Sequence, residues 1–272
     1  MIVYRYRPFT PYLEDEIANG AIFYGSTLKM NDFYDGFFRY TREGDLEKYF
    51  DIFSKTAVQR AQEILDGKLG SSDQVANLER VSGKDLEQWA WCVLNVPDYL
   101  EQTKTNLIEN FKNHPERVQA AVDVQNKNAD LIRDKVFIAC FSEKKLDMSM
   151  FGYYSSDGKG VMIAYADDNG LTKPINYVDR LPEITIDQSP EEIVNLQIFT
   201  KLNDWQHEKE RRAYLYAPKD QRSTDHGLIM KRIYLGPRTE KDAAELIKTW
   251  AAKRNIPVST HEMTENGEFT WM

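Results

Sequence analysis

The run Lys135-Val-Phe-Ile-Ala-Cys-Phe141 decides the fold more than any other stretch of the chain. It is apolar at both alternating sets of positions, which is typical of a strand that is buried on both faces. A second run, Gly160-Val-Met-Ile-Ala-Tyr165, has the same character, and the polar stretch Asp157-Gly-Lys-Gly160 leads into it as a tight turn. The sequence therefore predicts a sheet with two central strands in the second half of the chain.

Further elements are predicted on both sides of this pair. A first strand over 2–7 is followed by a short helix that starts at Thr10-Pro11 and ends at Asn19-Gly20. Apolar alternation and helical periodicity predict the remaining strands over 21–26, 183–187, 211–217, 228–235 and 257–262, and helices over 190–200 and 239–253. Because regular crossover helices do not separate the strands, we expect an α+β fold with a mixed or mainly antiparallel sheet.

Between the two groups of strands the pattern changes to helices. The clearest stripe places Leu86, Trp89, Ala90, Val93 and Leu94 at i, i+3, i+4, i+7 and i+8. Other helices are predicted over 44–66, 98–111 and 115–133, separated by glycines and prolines. We therefore expect one α+β domain over 1–272 that carries a helical insertion over 43–134.

Composition narrows the classes of function. The formal net charge of -8 argues against extensive nucleic-acid binding, which depends on neutralising phosphates. No apolar run approaches the roughly 20 residues of a membrane span, so we expect no membrane insertion and a cytoplasmic location. The two cysteines, Cys92 and Cys140, lie in apolar surroundings and are expected to be free thiols. The four histidines are scattered, and no metal site is predicted.

The densest group of charges is Trp205-Gln-His-Glu-Lys-Glu-Arg-Arg212, at the start of a predicted strand. Side chains two apart share one face of a strand, so Glu208 and Glu210 are expected to point into one site and to raise each other's proton affinity. One of them would act as a base or stabilise a developing cation. The alternative is a solvated strand entrance whose carboxylates are neutralised by Arg211 and Arg212.

Two other segments carry candidate binding residues. Tyr4-Arg-Tyr-Arg7 puts Arg5 and Arg7 on one strand face, where their planar guanidinium groups suit phosphate or carboxylate. Its alternatives are an exposed edge strand, or an ion pair with Glu208 and Glu210. Tyr153 and Tyr154, in an aromatic stretch that ends in glycines, are candidates for sandwiching a planar ring; a plain hairpin with packed aromatics is the alternative.

These segments, taken in order, resemble a widespread bacterial and phage domain family of unknown function. Five short motifs carry the resemblance: Tyr4-Arg-Tyr-Arg-Pro8, Met30-Asn-Asp-Phe33, Cys140-Phe-Ser-Glu143, Met150-Phe-Gly-Tyr-Tyr154 with Gly158-Lys-Gly160, and Glu208-Lys-Glu-Arg-Arg212. Phe33 stands where the family has proline, and Phe151 where it has tryptophan. The family implies no reaction, but it marks Asn31, Asp32 and Arg211 as candidate binding residues beside those already named.

The chain also resembles, more weakly, the ADP-ribosyltransferases, in which an early strand supplies Arg, a middle strand Ser or Tyr, and a late strand a catalytic Glu. That resemblance implies that Arg5 or Arg7 holds the phosphates of NAD, that Ser142 or Tyr154 orders the nicotinamide ribose or ring, and that Glu210 stabilises the oxocarbenium-like transition state. NAD would be the substrate, and a macromolecule or nucleotide the acceptor.

Three hypotheses about function follow from the sequence. The first is an NAD-consuming, ADP-ribosyltransferase-like enzyme. The second is a non-catalytic module of a phage or host-defence system that binds a nucleotide, another small molecule or a protein partner. The third is a metal-dependent nuclease that uses Asp32, Asp35, Glu208 and Glu210, although their spacing matches no known metal motif.

Overall fold

The computed structural model describes residues 1–30, 32, 34, 36, 38–41, 43–68, 85–217, 221–224, 227–263 and 269–271. Clustering of these residues gives two compact units. The first comprises residues 1–37, 130–182 and 194–272, and contains the sheet. The second comprises residues 38–129 and 183–193 and is mainly helical. The predicted α+β class is confirmed.

The described strands include six that lie close to their predicted places and five short ones, at 173–174, 176–178, 200–202, 221–223 and 269–271, that were not predicted. The strands are β1 Ile2–Arg7, β2 Ile22–Ser26, β3 Val136–Ser142, β4 Val161–Ala166, β5 Lys173–Pro174, β6 Asn176–Val178, β7 Thr200–Leu202, β8 Glu210–Tyr216, β9 Gln221–Ser223, β10 Ile229–Leu235, β11 Val258–Ser259, β12 His261–Met263 and β13 Phe269–Trp271. The strand predicted over 183–187 is wrong, because the structure has only an isolated bridge from Ile184 to Tyr40. The segment predicted as one strand over 257–262 is divided between β11 and β12.

The α-helices also follow the predicted periodicity. They are α1 Pro11–Glu14, α2 Leu46–Leu65, α3 Leu86–Asn95, α4 Tyr99–Asn113, α5 Pro115–Arg133, α6 Met148–Tyr154, α7 Pro190–Phe199 and α8 Lys241–Ala252. A π-helical turn, Asp15–Asn19, continues α1 and ends at Gly20 with φ 73°. Two 3-10 turns lie at Thr27–Lys29 and Asn203–Glu208. α6 was not predicted; its N-cap Asp147 accepts hydrogen bonds from the Ser149 and Met150 amides.

The main sheet has nine strands among the described residues, in the order β11-β10-β4-β1-β3-β2-β9, with β8 paired to β3 and β5 paired to β8. Its pairs are antiparallel except β10 with β11. β1 lies between β4 and β3, so the alternative of an edge strand is wrong. β8 pairs with the whole length of β3 on one side.

On its other side, β3 is shared by two strands. β1 pairs with it only where Tyr4 faces Ser142, whereas β2 pairs where Gly25 and Ser26 face Ile138 and Phe137. Within the described part of the chain, no register partner is found on that side for the stretch of β3 between these points. β1 and β2 therefore diverge along β3 and leave a gap in the sheet.

Apolar side chains cover both faces of the sheet in this unit. One face packs against α1, the π-helical turn and α8 in the largest core cluster, which includes Leu13, Ile17, Ile163, Ile233 and Trp250. The other face has two smaller clusters, one around α6 with Phe151 and one around α7 with Ile198.

The helical unit has its own core. α2 and α3 pack through Ala57, Ala61, Trp89, Ala90 and Val93, which include three of the five residues of the predicted α3 stripe.

Candidate functional site

A cavity of about 300 Å3 lies beside the gap between β1 and β2. Met150 and Tyr154 of the α6 cluster contribute to its wall, and so do Ile138 and Cys140 of the α7 cluster. Its size is at the lower end of the range for small-molecule sites. The divergence of two strands from β3 thus produces a partly open cavity whose walls come from five separate parts of the sequence.

The structure brings six of the ten predicted site residues to this cavity. They are Arg5, Arg7, Ser142, Tyr154, Glu208 and Glu210. They come from β1, the end of β3, α6, and the junction of the second 3-10 turn with β8.

The other four predicted residues do not line the cavity or lie outside the described chain. Tyr153 is 65% exposed, and its ring centroid lies 6.0 Å from that of His207. Asp32 is buried and accepts a hydrogen bond from the Tyr34 amide. Arg211 binds Thr172 and Glu143, because alternate residues of β8 face opposite ways. Asn31 lies outside the described residues.

Glu208 and Glu210 come together, but not as residues of one strand. Glu208 ends the 3-10 turn and Glu210 begins β8, while Lys209 between them has a left-handed backbone with φ 47°. The Ser142 hydroxyl fixes this turn by donating to the Glu208 carbonyl oxygen at 2.6 Å. Ser142 also accepts a hydrogen bond from the Lys144 amide at 3.0 Å. The hydroxyl predicted to order a ligand therefore holds the backbone of the turn.

A lysine that the sequence interpretation missed joins the two carboxylates. Lys201 Nζ lies 2.8 Å from Glu208 Oε2 and 3.1 Å from Glu210 Oε2, and all three side chains are buried. The Trp205 ring lies 4.5 Å from the same ammonium group, which is within cation–π distance. The two carboxylates raise the pKa of Lys201 although burial lowers it. Lys201 is therefore a permanent cation in the wall of the cavity.

Glu210 is held more tightly than Glu208. The Arg212 guanidinium donates from Nε to Glu210 Oε1 at 2.7 Å and from its terminal nitrogen to Oε2 at 3.1 Å. A Cys140 thiol hydrogen bond adds to this set. Burial opposes ionisation of Glu210, but Arg212 and Lys201 outweigh burial and lower its pKa to about 2. The prediction that the two glutamates raise each other's proton affinity is wrong for Glu210.

Glu208 has fewer hydrogen-bond donors around it. Besides Lys201 on Oε2, the Tyr154 hydroxyl donates to Oε1. The nearby Tyr177 hydroxyl accepts from the Glu210 amide at 2.8 Å. Each carboxylate oxygen offers two lone pairs, so Glu208 retains acceptor capacity for a ligand in the cavity.

Arg5 and Arg7 pair with Glu16 rather than with the two glutamates of the late strand. Glu16 is 1% exposed and lies on the π-helical turn. Its carboxylate lies 3.5 Å from Arg5 Nη1 and 2.9 Å from Arg7 Nε, and it accepts a hydrogen bond from the Tyr165 hydroxyl at 2.9 Å. Arg5 also donates from its other terminal nitrogen to the Phe23 carbonyl oxygen at 2.8 Å. The expected pairing with Glu208 and Glu210 is wrong.

Two signals in the sequence pointed to these missed residues. Glu16 lies three residues after Leu13 and next to Ile17, so it shares the apolar face of the first helix. Lys201 interrupts the apolar run Ile198-Phe-Thr-Lys-Leu202. A charged residue on an apolar face is rarely buried without a partner.

Comparisons with known proteins add no relative. No protein-family model matches the chain, and no curated protein or solved structure is similar enough to count as a match. Both resemblances inferred from the motifs therefore remain hypotheses.

Within the described ranges, no group of three or more His, Cys, Asp or Glu side chains is placed to hold a metal ion. Within the same part of the chain, no helix has the length and apolar character needed to cross a bilayer. Cys92 and Cys140 do not form a disulfide in the described structure, in agreement with the prediction.

Proposed function

We propose that this chain binds NAD in the cavity and transfers its ADP-ribose group, with Glu208 as the carboxylate that faces the reacting carbon. One observation carries the proposal. Arg5, Tyr154 and Glu210, which the weaker resemblance assigns to phosphate, ring and catalysis, line one cavity together with Glu208, although up to 205 positions separate them in sequence.

The charges around the cavity support an anionic ligand. Arg5, Arg7, Lys201 and Arg212 line it as cations, against the carboxylates Glu208 and Glu210. Glu16 behind the wall offsets one further charge, which leaves one net positive charge among these seven groups. In a buried site such an excess favours a phosphate-bearing ligand.

The reaction requires the protein to position NAD and to place a negative charge beside ribose C1′. The bond between nicotinamide and ribose C1′ breaks, and its electron pair leaves with nicotinamide. A nucleophile, either water or an acceptor group, then bonds to C1′ and loses its proton. Glu208 is held by Tyr154 and Lys201, and a fixed carboxylate beside C1′ stabilises the positive charge that develops there.

Release of nicotinamide from labelled NAD tests this proposal. We expect measurable release by the pure protein and a loss of about 100-fold or more in Glu208→Gln, as is typical when a preorganised electrostatic group is removed. The matched control is Glu143→Gln, because Glu143 is half exposed and does not line the cavity. Equal release by the wild type and Glu208→Gln would refute the assignment of Glu208.

A binding function without chemistry is the second candidate, and one observation favours it. Both glutamates already have cationic partners, as in a structural ion cluster. This alternative predicts that NAD binds in calorimetry and is recovered intact by chromatography after long incubation. Release of nicotinamide that depends on Glu208 would exclude it.

A further inference from the structure

Among the described residues, three donor or acceptor atoms in the pair of arginines and their carboxylate have no hydrogen-bond partner. They are Arg5 Nη1, Arg7 Nε and Glu16 Oε2, all buried. The Arg7 Nε to Glu16 Oε2 distance is 2.9 Å, so the charges attract each other without the alignment that a hydrogen bond requires. Buried donors of this kind are rare in folded proteins and call for a specific explanation.

The position of the arginines supplies that explanation. Arg5 and Arg7 both line the cavity, whereas Glu16 does not. The carboxylate therefore offsets charge from behind the wall, and the two unpaired arginine nitrogens lie against it. Arg5 is only 6% exposed, so bulk water does little to weaken its attraction to Glu16.

Glu16 itself is fixed from three directions. Ile17 and Ala18, its neighbours on the π-helical turn, are buried in the largest core cluster. Gly20 closes the turn with φ 73°, a conformation that glycine adopts without strain. The Tyr165 hydroxyl donates to Glu16 Oε1 from the middle of β4 at 2.9 Å. Single π-helical turns within helices often occur at functional sites.

We infer that Glu16 is a positioning residue: it holds the Arg5 and Arg7 side chains at the cavity wall, where the two guanidinium groups bind the pyrophosphate of the ligand. This inference rests on the proposed function for the identity of that ligand as NAD. It concerns binding only, and the bond to nicotinamide is not involved. The arginine fork matches the planar arrangement of phosphate oxygens.

Calorimetry with inorganic pyrophosphate and with ADP-ribose tests the inference. We expect Glu16→Gln to weaken binding of both by about tenfold, the equivalent of one charge-assisted hydrogen bond. Glu16→Asp, which keeps the charge, should lie between Glu16→Gln and the wild type. The matched control is Glu14→Gln, because Glu14 is exposed on the adjacent turn. If Glu16 acted only by competing for the arginine charges, Glu16→Gln would bind the anions more tightly, and the inference would be wrong.

A milder variant covers the case in which Glu16→Gln does not fold. Tyr165→Phe removes one hydroxyl from the Glu16 contact and is expected to weaken ADP-ribose binding about threefold. Tyr216→Phe, on an exposed ring, is the control. Unchanged ADP-ribose affinity in a folded Tyr165→Phe and a folded Glu16→Asp would overturn the inference.

Kinetics separates this inference from the proposed function. Glu16→Gln should raise the KM for NAD and leave kcat within about twofold, because contacts made equally in ground and transition states affect binding alone. Pyrophosphate binding that depends on Glu16, without nicotinamide release, would support the inference and reject the transferase. Nicotinamide release that is insensitive to Glu16, with no binding of pyrophosphate, would support the transferase and reject the inference.

Discussion

Replacement of Lys201 by methionine removes the cation that joins the two buried glutamates. Lys201 is 5% exposed, and its Nζ lies 2.8 Å from Glu208 and 3.1 Å from Glu210. Methionine fills similar space without charge. Glu210 keeps its two contacts with Arg212, but Glu208 keeps only the Tyr154 hydroxyl among the donors to its carboxylate in the described structure. The variant thus isolates the cost of one poorly compensated buried carboxylate.

Protonation of the carboxylate limits how much stability Lys201→Met can lose. Breaking a buried ion pair from one side costs about 3–5 kcal/mol. A carboxylate avoids part of that cost by binding a proton, and protonating an ordinary glutamate costs about 4 kcal/mol at pH 7 but about 1 kcal/mol at pH 5. We therefore expect Lys201→Met to lower the free energy of unfolding by about 3–4 kcal/mol at pH 7. At pH 5 the loss should shrink to about 1 kcal/mol.

The direction of this pH dependence follows from the charges. The folded-state pKa of Lys201 is raised from 10.5, so its stabilisation is fully present below the unfolded pKa and is lost only at alkaline pH. Lys201 stays charged in the wild type across the interval from pH 5 to pH 7. The change between the two pH values therefore comes from the carboxylate in the variant.

Urea unfolding followed by circular dichroism and tryptophan fluorescence measures both values. Lys248→Met is the control, because Lys248 pairs with Glu245 at 2.9 Å on a surface where it is 46% exposed. That substitution should cost less than about 1 kcal/mol at either pH. The double variant Lys201→Met with Glu208→Gln should recover about 2 kcal/mol relative to the sum of the single variants. A loss under about 1 kcal/mol at pH 7, or strict additivity, would refute this account of the cluster.

Two further predictions concern the same unit. The pKa of Glu210 falls from its ordinary 4.5 to about 2, so its stabilisation is present above pH 4.5 and is lost as the pH falls toward 2. Wild-type stability should therefore drop by about 3 kcal/mol more than that of Glu210→Gln over this interval, and parallel urea-derived curves would contradict it. Gly160→Ala would bring a Cβ to 2.0 Å from the Arg7 carbonyl oxygen and should cost about 3 kcal/mol. Gly152→Ala, with no atom within 4 Å, is its control, and equal melting temperatures would argue against the clash.

Apolar periodicity explains why most elements were predictable from the sequence. β3 and β4 are buried on both faces, so nearly all their residues are apolar and the local pattern suffices. α3 and α8 each present one apolar face to a core. The strand predicted over 183–187 failed because its apolar residues, Ile184 and Ile186, are buried without forming a ladder. Burial alone does not distinguish a strand from an irregular buried segment.

The geometry of the site was less predictable, because it depends on residues that are distant in sequence. The pattern Glu208-Lys-Glu210 suggested two carboxylates on one strand face. A left-handed Lys209 instead turns the chain between them, and no glycine marks this turn. Ion pairs between neighbouring elements, as between Arg7 and Glu16 or between Lys201 and Glu210, leave no local periodicity either. The residue types were visible in the sequence, but their partners were not.

The arrangement of donors suggests that the two glutamates have different roles. Glu210 accepts from Arg212 through both oxygens and is ionised far below neutral pH, so its loss should be felt mainly in stability. Glu208 faces the same cavity with fewer donors, so its loss should be felt mainly in ligand chemistry. The segment Glu208-Lys-Glu210 would then combine a glutamate that stabilises the fold with a glutamate that takes part in the reaction. If both substitutions reduced stability and activity in the same proportion, this division of roles would be wrong, and the pair would act as one structural ion cluster.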